Sequence, residues 1–449
     1  GTDLATASHT YAPGFYTVTL TVSNASDAAS CTRIEAVRVG VGTAYVAKTG
    51  GQVSPFDTWA KAATNIQEAV DAVWATAEAP ASVWVADGTY SLKPTDWIVV
   101  MRPVLLRSVN GREAAIIDGE LTPERRLMLV NDSLARIEGL TLRRGKTAVV
   151  STGYAAGLWL KAGTVSNCVI EACQAICNGG VSMTGGLLTH SIIRDNSGVI
   201  SGADRSGGGV YISGGTLAQC EVLRNTTSCG AGIYVNGAST VVRDCRIAGN
   251  YNANQRGGGI YQVRGLIDRC IVSGNSASRA NSWGGGIFQE GGVTRNCLVV
   301  SNRVYDALGH AHGVYVLGSN ARLENVTVAD NSYGIAGSGI YLQNGKMTNS
   351  IAWFNGTSDL YQTGGTVGYS CWSGAPASNG NTGGEPRFMD RAQGNYRLSG
   401  ASPCVNTGVN YLWKAADRDL AGNPRILFRT CDMGAYECAA GSGTLMFLR

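Results

Sequence analysis

Charge is scarce in this chain, and histidine scarcer still. Of 449 residues only 15% are Asp, Glu, Lys or Arg, four are His, and the formal net charge is +4. A nucleic-acid surface needs a dense basic stripe, whereas the arginines here are scattered, so no nucleic-acid partner is expected. No apolar run reaches the roughly eighteen residues of a membrane-spanning helix, so no membrane span is expected. His9, His190, His310 and His312 match no zinc pattern, and the 13 cysteines include no Cys-x-x-Cys spacing. Neither a metal nor another cofactor is expected. Between 150 and 355 the three-and-four spacing of a helix is also missing.

What is present is repetition, built on 61 glycines. A glycine followed by Val or Ile and an aromatic residue recurs in GGGVY (207–211), GAGIY (230–234), GGGIY (257–261), GGGIF (284–288), HGVY (312–315) and SGIY (338–341). A second phrase runs in phase: QCEVLRN (219–225), DCRIAGN (244–250), RCIVSGN (269–275) and NCLVVSN (296–302). A fixed period of this length signals a solenoid. Within each repeat, short runs alternate between apolar and polar residues, as in Cys220 and Val222 or Cys270 and Val272, the mark of half-buried strands. The reading is all-β: a right-handed parallel β-helix.

Stacked coils turn sequence phase into columns. One holds small residues, with Cys220, Cys245, Cys270 and Cys297 in succession, read as buried free thiols packing as small hydrophobes. Two positions later Val222, Ile247, Val272 and Val299 form an aliphatic core column. Asn196, Asn225, Asn250, Asn275, Asn302, Asn331 and Asn355 form a ladder, read as structural: Asn tolerates left-handed backbone, and stacked amides can hydrogen-bond between coils. The glycine clusters are read as corners needing positive φ or close approach.

Five segments are expected. Residues 1–42 read as part of a sandwich, with Tyr16, Val18, Leu20 and Val22 on one buried face. Residues 43–96 form the entry, where Thr64-Asn65-Ile66-Gln67 has capping-box spacing and opens a helix to about Ala77 that covers the first coil. Residues 97–365 are the coils and 366–438 the exit. The apolar tail 439–449 reads as a strand of a following or neighbouring sandwich. Cys371, Cys404, Cys431 and Cys438, in the loop-rich exit, are the better disulfide candidates. The chain shows no leader-like stretch and opens within a strand pattern, which reads as a mature or trimmed piece.

Entry, coils and exit together (43–438) resemble bacterial secreted right-handed parallel β-helix proteins. The exit phrases Asn395-Tyr396, Ser402-Pro403-Cys404 and Asp432-Met433-Gly434-Ala435-Tyr436-Glu437 resemble the choice-of-anchor Q domain. Residues 9–40 resemble the last strands of a PKD domain, an immunoglobulin-like sandwich with a partial complement of strands here. These resemblances imply an extracellular or cell-surface location and a β-helix plus a partial Ig-like sandwich.

Many proteins of this outline act on acidic polysaccharides, and glycosidases on such a scaffold need carboxylates on facing positions. Here Asp195, Glu221, Asp244, Asp268, Glu290, Glu324 and Asp330 look scattered, so no catalytic residue is assigned. Asp204, Arg205, Asp306, His310 and His312 are the remaining loop candidates. Trp283, Arg303 and Tyr305 are the candidate glycan-binding residues. The expectation is a non-enzyme: a rigid stalk, adhesin or head-to-tail filament subunit, self-associating through 1–42 and 439–449. The alternative is a polysaccharide lyase or glycoside hydrolase of pectate-lyase-like β-helix type.

Overall fold

Each repeat closes one turn of a coil. In the turn that follows Gly259, Ile260–Gln262 lies on a first face, Leu266–Asp268 on a second and Ile271–Ser273 on a third, with Ser276–Ala277 past the next corner. The strands of this turn pair in parallel and in register with their counterparts one turn away: Ile233 with Ile260 with Ile287, and Val241 with Leu266 with Val293. The protein is therefore a parallel β-solenoid, running from Thr43–Val46 to Cys371–Trp372. The structure, a computed structural model, describes residues 9–11, 14–92, 96–148, 155–198, 207–278, 282–305, 311–332 and 337–439. Residues 440–449, and with them most of the apolar tail, lie outside the described residues.

Alternation sets the core. Val222, Ile247, Val272 and Val299 on the third face, and Val242, Ile267 and Leu323 on the second, are completely buried. Each such side chain contributes about 1.5–3 kcal/mol. On the first face the aromatic residue of each repeat points outward, yet Tyr211, Tyr234, Tyr261, Phe288 and Tyr315 are buried. They stack coil on coil, with ring centroids 4.9–5.5 Å apart from Tyr211 to Phe288.

The two repeated phrases lock together at the corner that carries the asparagines. Asn275 donates from Nδ2 to Ile247 O (2.9 Å) and to Asn302 Oδ1 (3.0 Å), and its backbone N–H donates to the same Oδ1. The same pattern runs from Asn196 to Asn331. Asp359 ends the ladder, its Oδ1 accepting from Asn355 N at 3.0 Å. The backbone reason differs from the expected one. The left-handed residue is the one before the ladder Asn, namely Asp195, Arg224, Gly249, Gly274, Ser301, Asp330 or Phe354. The Asn is placed inward by that turn, where a buried amide can satisfy backbone groups of two coils. The repeat glycine makes the room: a Cβ on Gly259 would lie 2.9 Å from Asn275 Nδ2 and 2.7 Å from Gly286 O.

At the start, the helix is Ile66–Ala72, shorter than expected, because Val73 is extended and bridges Val41. Its cap is Asn65, which accepts from Gln67 N and Glu68 N. Thr64 instead bonds Gln52, and Gln67 reaches across to the backbone of Val99, tying the helix to a later coil. Residues Gly14–Ser23 and Ala28–Val39 form a two-stranded antiparallel hairpin. The face expected to be buried is open there: Leu20 and Val22 are each 65% exposed.

The segment after the last coil folds back along the solenoid. Corner asparagines at positive φ hold it: Asn325 Nδ2 donates to Asp432 O, and Asn349 Nδ2 donates to Val409 O. Arg425 is fully buried, ion-paired with Glu437 and hydrogen-bonded to Asn296 Oδ1. Of the expected disulfide candidates, Cys371, Cys404 and Cys431 are free thiols. Cys371, Cys404 and Cys438 share one apolar cluster, while Cys431 packs against Asn349 and Val409. Burial pushes the Cys245, Cys270 and Cys297 thiols up, which keeps them protonated.

Candidate active-site cleft

The second face carries an outward column that is not visible as a cluster in the sequence. Register stacks Arg243 on Asp268, Asp268 on Arg295, and Arg295 on Glu324. Up to Arg295 the charges are neutralised. Asp268 pairs with Arg269 at 3.0 Å and with Arg295 at 3.2 Å, and accepts from Asn296 Nδ2 at 2.9 Å. Asp244 pairs with Arg269 at 2.7 Å. The folded-back segment roofs this stretch, with Trp413 under the Arg295 guanidinium and its Nε1 donating to Asn325 Oδ1.

Neutralisation stops at Glu324. Its carboxylate is buried, and no described residue forms an ion pair or hydrogen bond with it. Burial raises its pKa above the usual carboxylate range, and Arg322, Arg295 and Lys346 offset only part of that. Glu324 lines a cleft of about 490 Å³ together with Arg322, Lys346, Thr348 and Tyr411. Arg322 and Lys346 stand exposed on the same face, and Lys346 Nζ donates to Tyr411 OH at 3.0 Å. Tyr411, from the folded-back segment, is 63% exposed. Strand alternation aims Arg322 and Glu324 to one side while Leu323 fills the core. A carboxyl whose pKa is raised, in a cleft with two cations and an open phenol ring, is suited to exchange a proton with a bound anion.

The residues singled out from sequence fall elsewhere. Trp283 packs on Phe288 and Tyr315 over the first face, with Arg256 above its ring. Close by, Tyr261 OH donates to Glu290 Oε1 at 2.6 Å. Arg303 lies over Tyr305 at 5.8 Å. The seven ladder asparagines and Cys220, Cys245, Cys270 and Cys297 are interior and face no cleft. Asp204, Arg205, Asp306 and His310 lie outside the described residues.

His312 is buried, its Nδ1 accepting from Val304 N at 3.0 Å, while Nε2 faces Gly337 without a described partner. Burial holds its pKa below the ordinary value of 6.5. A depressed histidine contributes stability that is complete above 6.5 and is lost as pH falls toward the folded pKa, because the unfolded chain takes up the proton first. The urea midpoint is therefore expected to fall between about pH 7.5 and about pH 5, and His312→Gln should flatten that fall.

Residues 208–381 match the family model of the right-handed β-helix region. That places the central coils in the class that the register already defines, and supplies the hand. No curated protein matches the chain. Among solved structures it is similar to a pectin methylesterase from Aspergillus niger, at 13% identity and a TM-score of 0.32, covering 66% of this chain and 86% of that one. It is also similar to the A-module of a mannuronan C-5 epimerase from Azotobacter vinelandii, at 14% identity and a TM-score of 0.32, covering 68% and 87%. At these values the likeness extends to the fold alone.

The expectation of a non-enzyme is corrected here. Two of the acidic residues that look scattered along the chain do share a column, one that lies outside the interior columns legible in the sequence. The exterior column of the second face, where Asp268 and Glu324 share a line with two arginines, emerges only when the coils are stacked.

Proposed function

We propose that the protein is a polysaccharide-active enzyme that breaks glycosidic bonds in an acidic glycan bound at the Arg322–Lys346–Tyr411 cleft. The observation that carries this reading is Glu324, a buried carboxyl that lines that cleft and has no ion-pair partner among the described residues. Arg322 and Lys346 would neutralise sugar carboxylates, and the exposed Tyr411 ring offers a face to a pyranose. Glu324 would give its proton to the departing glycosidic oxygen as the sugar–oxygen bond breaks. In hydrolysis, water adds across that bond. In elimination, the ring proton beside the sugar carboxylate passes to water, Glu324 regains a proton from water, and a carbon–carbon double bond forms.

The test is incubation with a panel of uronic-acid polymers, following reducing ends and ultraviolet absorbance together. New reducing ends without absorbance identify a hydrolase, and both together identify a lyase. Neither product from any uronic-acid polymer would overturn the reading.

A further inference from the structure

A cavity of about 560 Å³ lies at the other end of the solenoid, against the covering helix. Trp74 borders it with 60% of its surface exposed. Opposite stand Asp71 and Arg102, whose Nη2 is 3.9 Å from Asp71 Oδ1. Both are held from behind. Arg102 Nη1 donates to Val73 O at 3.0 Å, and Gln67 Nε2 donates to Asp71 Oδ1 at 2.9 Å. Trp74 is fixed by its backbone N–H, which donates to Val41 O at 3.0 Å. Gly40 permits that approach, since a Cβ there would collide with the Trp74 backbone. An open indole facing a guanidinium–carboxylate pair is how protein surfaces bind sugars: the ring takes the apolar face, and the pair takes hydroxyls or a carboxylate.

Register places this pocket in line with the cleft. Arg102 sits in the corner between the first and second faces, three residues before Leu105. Leu105 belongs to the same outward column as Arg322, through Arg136, Thr164, Leu187, Thr216, Val241, Leu266 and Val293. Eight coil steps at about 4.8 Å each separate the two, about 40 Å along one edge of the solenoid.

We infer that the Trp74–Asp71–Arg102 pocket is a distal subsite for the same acidic glycan chain that the Arg322–Lys346–Tyr411 cleft binds. It rests on the reading of the cleft as a glycan site, and makes the substrate a polymer rather than a short oligomer. Two linked subsites raise the affinity for a chain long enough to reach both, with no new contact at either.

The test is calorimetric titration of the full chain with a uronic-acid polymer, and with an oligomer too short to span about 40 Å. Trp74→Ala and Arg102→Gln are expected to weaken polymer binding roughly tenfold while leaving oligomer binding at the cleft unchanged. Lys346→Ala should weaken both. Unchanged polymer affinity in Trp74→Ala, with the Lys346→Ala loss intact, overturns the distal subsite and leaves the cleft reading standing. Polymer loss in Trp74→Ala with no effect of Lys346→Ala overturns the shared chain and the cleft reading together. Trp74 is exposed, and equal melting temperatures for wild type and Trp74→Ala will show that the fold is kept.

Discussion

Asn275→Ala is expected to destabilise the central coils by about 3–5 kcal/mol, seen as a lower urea midpoint by Trp283 emission. The substitution removes more than one side chain's bonds. Asn275 Oδ1 is the acceptor for the backbone N–H of Asn250, and Asn275 Nδ2 is the described side-chain donor to Ile247 O. Both backbone groups are buried, and each orphaned group costs about 1–3 kcal/mol. Water cannot easily replace the amide, because the backbone of Gly259 closes against it. Asn275→Asp should be no milder, since a carboxylate keeps the acceptor but loses the donor and places a charge in the interior. A loss below about 1 kcal/mol would mean that neighbouring coils relax enough to re-pair those groups.

Glu324→Gln is the second large effect. If Glu324 protonates the leaving oxygen, the variant should lose about 100-fold to 10,000-fold in turnover while still binding the polymer. The wild-type rate should fall as pH rises through the raised pKa of Glu324, and that limb should be missing from the residual activity of the variant. In the variant, stability moves opposite to activity. A carboxyl with a raised folded pKa takes up its proton more readily folded than unfolded, so its ionisation lowers stability as pH rises from the ordinary value of 4.5 through the folded pKa. Glu324→Gln should therefore melt higher than wild type at neutral pH, and the two should converge below about pH 4. A variant that is less stable at neutral pH and fully active would show that Glu324 is a structural carboxylate.

The legible part of this fold is whatever repeats. The ladder from Asn196 to Asn355 and the column from Cys220 to Cys297 could be read in advance, because stacking converts equal phase into spatial contact. Errors began where local geometry breaks phase. The left-handed position belongs to the residue before each ladder asparagine, a backbone detail that the identity of Asn itself obscures. The helix cap moved from Thr64 to Asn65 because Thr64 is engaged by Gln52.

The candidate cleft was illegible for a different reason. Glu324 looks like any other acidic residue between coils, and its raised pKa comes from burial rather than from a motif. Tyr411 and Trp413 reach the second face only because Asn325 and Asn349 hold the returning segment there. Trp283, Arg303 and Tyr305 form a natural trio by spacing and chemistry, but in the fold Trp283 packs into the first-face aromatic stack, whereas Arg303 lies over Tyr305.

By itself the sequence determined the coil, its period, its core columns and the axis along which they stack, because a period-two strand repeated at fixed length has few other ways to bury its apolar side. Tertiary structure decided which outward side chains share a line, which carboxylate is left without an ion pair, and what the returning segment covers. Those depend on register across coils and on long-range docking, neither of which is encoded in local spacing.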